Sequence, residues 1–166
     1  SKKLYENSQI KEEGNYINGK KDGVWKTYYE NGQLKSEDNW KGGKEDGLSK
    51  KLYENSQIKE EGNYINGKKD GVWKTYYENG QLQFEGNFIN GKIDGLSKRW
   101  YENDQLFTEG KYINNFKDGV HKSWEENGNL KSIINYENGK KDGLFKYYID
   151  GKLSFTFEYK DGERID

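Results

Sequence analysis

Short runs of aromatic and aliphatic residues alternate along the chain with Asn-Gly and Asp-Gly clusters, at a fixed interval of 24 residues. The dipeptide Asp-Gly marks the period at Asp22-Gly23, Asp46-Gly47, Asp70-Gly71, Asp94-Gly95, Asp118-Gly119 and Asp142-Gly143. Apolar runs bounded by turn-forming dipeptides predict strand, turn, strand, turn. A period of this length predicts a repeat array in which each unit packs mainly on its neighbours. Helix is disfavoured: no 3.6-residue apolar stripe survives, and 21 glycines would weaken one. The expected fold is all-β, a single array over 1–166 of about seven 24-residue β-hairpins (1–23, 24–47, 48–71, 72–95, 96–119, 120–143, 144–166). Joined end to end, the hairpins would form one elongated, twisted antiparallel meander of about 14 strands.

Counting from the residue after Asp-Gly, four odd positions are apolar in unit after unit. Position one is Val24, Leu48, Val72, Leu96, Val120 or Leu144, and position five is Tyr28, Leu52, Tyr76, Trp100, Trp124 or Tyr148. Position eleven is Ile or Leu, as at Leu34 and Leu106, and position seventeen is aromatic, as at Tyr16, Trp40 and Tyr64. For odd positions of both strands to share one core face, the hairpin loop must hold an odd number of residues. The expectation is therefore a three-residue Glu-Asn-Gly loop, a type I turn closed by a glycine bulge, pairing Tyr28 with Leu34 and Trp100 with Leu106. A second three-residue loop would place Trp40 opposite Leu48. Glycine at position fifteen (Gly14, Gly62, Gly86, Gly110) would make room on that face for a neighbouring ring. Lys recurs at position three, from Lys2 to Lys146, and reads as a stem over apolar surface with its ammonium in water.

The same parity puts positions two and six on the second, open face. They supply Tyr5, Trp25, Tyr29, Tyr53, Trp73, Tyr77 and Tyr101, with Phe145 further on and a row of glutamates, Glu13 to Glu109, at position fourteen. That aromatic face is the candidate binding surface, set against the plainer reading that the rings shield a thin sheet from water.

Residues 1–34 are identical to 49–82, so the unit of duplication is two hairpins, 48 residues. Position two follows this longer period, with Trp25 and Trp73 alternating with Ser49 and Ser97. The last units drift. His121 stands where an aromatic is expected, Ile133 replaces the position-fourteen Glu, and the final hairpin loses a residue at Ile149-Asp150-Gly151. The C-terminal unit reads as a cap or a junction, with self-association through it or through sheet edges as a partner expectation.

Composition narrows the function classes. Charged residues make up 34% of the chain but balance to a net charge of −1, so there is no basic stripe for nucleic acid and no cationic patch to favour a membrane surface. Aromatics at 16% argue for order despite a thin core. No apolar run is long enough for a membrane-spanning helix. Without Cys, disulfide and thiolate chemistry are excluded. No phosphate-cradling loop, zinc-type His pair or nucleophile elbow occurs, and adjacent acids such as Glu12-Glu13 point to opposite strand faces. His121, the single histidine, reads as packing in place of a ring. The expectation is a non-enzyme without metal or cofactor. The chain starts at Ser1, inside a repeat, which reads as a fragment whose compartment the sequence leaves open.

The phrase Trp-Lys-x-Tyr-Tyr-Glu-Asn-Gly-Gln-Leu, followed by an aromatic and Asn-Gly-Lys-x-Asp-Gly, resembles the MORN repeat, in the bacterial variant often labelled an antitoxin family. The resemblance spans all seven units. It implies an antiparallel sheet used for interaction, with relatives linked to membranes and scaffolding. Ser8, Ser56 and Asp104 replace the usual glycine at the hairpin tip. Three functions follow: a protein-interaction or scaffold module of bacterial origin, an antitoxin or immunity protein occluding a toxin, and an aromatic face stacking on carbohydrate or another cell-surface ligand.

Overall fold

A computed structural model describes all of residues 1–166 and contains only strands. The all-β expectation holds: fifteen antiparallel strands follow one another in an open meander. The chain divides into two compact units, Ser1–Gln81 and Leu82–Asp166. The first holds β1 (Lys2–Leu4), β2 (Ile10–Ile17), β3 (Lys20–Tyr28), β4 (Leu34–Lys41), β5 (Lys44–Leu52), β6 (Ile58–Ile65) and β7 (Lys68–Tyr76). The second holds β8 (Leu82–Ile89), β9 (Lys92–Trp100), β10 (Leu106–Ile113), β11 (Phe116–Trp124), β12 (Leu130–Glu137), β13 (Lys140–Ile149), β14 (Lys152–Lys160) and the short β15 (Glu163–Arg164).

The first loop of every repeat but the last is as expected, and the last turns through only Asp150-Gly151. Tyr29 N–H donates to Gln33 O and Gly32 N–H to Tyr29 O, enclosing Glu30-Asn31-Gly32 with Gly32 at φ 84°. Tyr28 lies opposite Leu34, and Trp100 opposite Leu106. Ser56 and Asp104 take the glycine's left-handed conformation at φ 67° and 66°.

One residue later the expected parity fails. Tyr28 pairs with Leu34 but Thr27 pairs with Ser36, so Lys35 is an extra residue, a β-bulge. From there to the far end of the hairpin, odd positions pair with even ones: Trp25 lies opposite Asp38 and Lys26 opposite Glu37. A one-residue slip turns every following side chain to the other face. Position two therefore shares a face with positions thirteen, fifteen and seventeen, while positions one, three and fourteen occupy the opposite face.

The second connection also differs from expectation. It is a two-residue turn, with Gly42 and Gly43 at φ 56° and 87°, and Asn66 and Gly67 at 52° and 79°. Both central residues have positive φ, the hallmark of type I′, whose twist suits the flanking strands. Trp40 thus lies opposite Glu45, not Leu48. Asp-Gly is no turn at all: Gly47, at φ 112°, sits inside β5 where three residues face the single Asn39.

Candidate functional site

The bulge decides where the core lies. Trp25 and Trp73 are 2% and 1% exposed, whereas Leu48 and Val72 of position one are 70% and 55% exposed. The expected assignment of faces is thereby corrected. Position one is open to solvent, and the two tryptophans do not stand on an open face.

Each tryptophan is held by the same set of neighbours. A Cβ built on Gly62 would lie 2.3 Å from the Trp73 ring, and one on Gly14 2.4 Å from Trp25, so the ring lies flat on bare backbone. Tyr64 meets Trp73 edge-on at 4.9 Å, and Lys69 Nζ covers the ring at 3.8 Å. Trp73 Nε1 donates to Asn63 O at 3.0 Å, as Trp25 Nε1 does to Asn15 O. Ser49, buried at 4%, lies opposite Gly62, the glycine that carries the Trp73 ring, and its hydroxyl donates to Asp38 Oδ1 at 2.6 Å. The alternation of Trp and Ser at position two thus matches the two-hairpin period, a large ring over glycine in one hairpin and a small buried hydroxyl in the next.

His121 occupies the tryptophan's place in the second unit. It is buried on Gly110 between Tyr112 and Tyr136, at 5.2 and 5.1 Å. Its Nε2 lies 2.7 Å from Lys111 O, so it is the protonated nitrogen and takes the role of the indole N–H. Burial is the main cause lowering its pKa below the usual histidine value.

The candidate tyrosines are half-buried, and their hydroxyls tie one hairpin to the next. Tyr5 Oη donates to Tyr28 O, Tyr29 to Leu52 O and Tyr53 to Tyr76 O, each at 2.7 Å, and Tyr101 donates to Trp124 O at 2.9 Å. Lys11, Lys35 and Lys59 lie over the rings of Tyr5, Tyr29 and Tyr53 at 5.3–5.4 Å. Tyr77 is also half-buried. The seven residues thus fall into two sets, a buried tryptophan pair and a tyrosine row within the hydrogen-bonded framework.

What stands open is the face that parity had marked as core. In the first unit it carries Val24, Leu48 and Val72, 46–70% exposed, beside Ile17 and Ile65. In the second it carries Leu96, Val120 and Leu144, 48–56% exposed, beside Ile89 and Ile113. A charge ladder runs alongside in register: Glu37 faces Lys50, and Lys50 faces Glu61. Lys26 pairs with Glu37 at 3.0 Å, and Tyr28 and Tyr76 donate to Glu13 and Glu61 at 2.7 and 2.8 Å. A shallow groove of about 430 Å³ runs over this face in the first unit, between Leu48, Val72, Lys50, Lys74, Glu37 and Glu61. The position-one residues were visible in the sequence; their exposure hinged on the bulge at Lys35, for which no glycine gives a signal.

No cluster of three or more His, Cys, Asp or Glu side chains could hold a metal ion. No helix is long and apolar enough to cross a membrane. The sequence model of a family described as a MORN repeat variant matches residues 1–18, 21–41, 45–66, 69–90, 93–114 and 117–138. No curated protein matches the chain.

Proposed function

The chain belongs to the MORN repeat variant family, whose members are non-enzymatic repeat modules that bind proteins or membranes, and we propose that it is itself a protein-docking module working through the Val/Leu face. The observation that carries this reading is the exposed apolar row, Val24, Leu48 and Val72 in the first unit and Leu96, Val120 and Leu144 in the second. Exposed aliphatics that recur along one row of the sheet and are rimmed by polar groups fit a docking surface. The Glu/Lys ladder beside it adds register and partner choice without a net charge that would favour nucleic acid or anionic lipid. The tryptophans support the same reading indirectly: buried as they are, they stiffen the sheet that presents the row.

The test is capture of partners by the wild type and by a Leu48→Lys, Val72→Lys variant, with circular dichroism to establish that both fold. A protein held by the wild type and lost by the folded variant supports docking through this face. A partner retained by the variant, with equal affinity, overturns it.

A further inference from the structure

Residues 48 apart hold equivalent places in the two units, and one such set has lost its carboxylate. In the first unit Glu60 Oε1 lies 3.2 Å from Lys69 Nζ and 3.6 Å from Lys51 Nζ, one acid shared between two cations. The corresponding residues of the second unit are Thr108, Lys117 and Arg99. Both cations are kept and the acid between them has become a hydroxyl. Neither cation has found another carboxylate: the Arg99 guanidinium rests over Phe84 at 4.9 Å, and Lys117 Nζ over Tyr136 at 4.7 Å.

Arg99, Thr108 and Lys117 line one cavity of about 240 Å³, together with the buried hydroxyls of Ser97 and Ser132. The adjacent carboxylate, Glu109, projects from the opposite face of the sheet, where Lys98 and Lys122 engage it at 3.6 and 3.9 Å, so it does not fill this place. The equivalent place in the first unit is filled by Glu60 and is acidic besides: burial and the neighbouring Asp38 push the Glu45 carboxyl above its ordinary value.

We propose that the second unit binds a small hydroxylated carboxylate, of the sugar-acid class, in the cavity between Arg99 and Lys117. The ligand's carboxylate takes the position that the Glu60 side chain holds in the first unit. A charge-assisted pair to two cations fixes it, and the fork of Arg99 suits a carboxylate. The hydroxyls of Thr108, Ser97 and Ser132 match a polyhydroxy scaffold rather than an apolar acid. This site lies on the tryptophan-side face and does not depend on docking through the Val/Leu row.

The test is an NMR titration of the full chain with D-glucuronate, with D-glucose as the neutral control, following the Arg99 Nε–H and the amides of Thr108 and Lys117. Saturable shifts at these residues with glucuronate, and none with glucose, are expected. Thr108→Glu restores the internal acid that Glu60 exemplifies and should weaken binding at least about tenfold, the scale of losing one charge-assisted contact, while leaving distant resonances in place. Arg99→Gln should weaken it similarly. Equal shifts with glucose, shifts scattered over the lysines without saturation, or a folded Thr108→Glu variant that binds like the wild type would each overturn the proposal.

Discussion

Replacing Gly62 by Ala tests the packing on which everything else rests. A Cβ at this position would stand 2.3 Å from two ring carbons of Trp73, where ordinary contact begins at 3.4 Å, so ring or strand must give by the difference, 1.1 Å. The ring has nowhere to go. Trp73 is 1% exposed, Tyr64 abuts it at 4.9 Å, Lys69 covers it at 3.8 Å and Asn63 O holds its N–H. Overpacking of a tight site costs about 1–3 kcal/mol, and a strained indole hydrogen bond adds about 0.5–1.5 kcal/mol. Against this, Gly→Ala lowers the entropy of the unfolded chain, worth about 0.4–1 kcal/mol where φ is unstrained, as it is here. The contact wins, and a net loss of about 1–3 kcal/mol is expected. In a Trp73→Ser background, which copies Ser49, the same substitution should cost nothing or stabilise slightly. Urea unfolding of the wild type and the three variants, followed by circular dichroism, closes the cycle. A Gly62→Ala protein as stable as the wild type, or one with the same loss in both backgrounds, would refute the stacked-ring account.

Other predictions follow from individual residues. Ser56 holds a left-handed conformation that glycine adopts freely, so Ser56→Gly should stabilise by about 0.5–1 kcal/mol in urea melts, the balance of relieved strain and added chain entropy. His121 has a folded-state pKa below its usual value of 6.5, so the unfolded chain binds its proton first. Stability should therefore decline as the pH falls below about 6.5 and level off once both states are charged; a His121→Phe variant should lose that dependence. Tyr28 and Tyr64 are both raised to about 12, Tyr28 chiefly by its hydrogen bond to Glu13 and Tyr64 chiefly by burial. In an ultraviolet titration, Glu13→Gln should bring Tyr28 down and leave Tyr64 in place.

Much of this was written in the repeat. Asn-Gly and Asn-Gly-Lys-x-Asp-Gly spacing made the hairpins legible, and Tyr28 opposite Leu34 followed from loop length alone. The faces did not, because a single bulged residue at Lys35 inverts the parity and looks like any other exposed lysine in the sequence. A clue was nonetheless present. Gly14 and Gly62 recur in the strands that precede Trp25 and Trp73, and a bare backbone beside a large ring implies stacking, which requires the two positions to share a face. The vacated acid at Thr108 is of another kind. It emerges only when the two 48-residue copies are compared at the level of which side chains meet.

Which face of the sheet is open can be measured directly, by solvent paramagnetic relaxation with a neutral soluble gadolinium chelate. Strong broadening of the Leu48 and Val72 methyls, with the Trp25 and Trp73 indole N–H signals spared, is the predicted result. Protected methyls beside broadened indoles would contradict it, and would return the tryptophans to the surface.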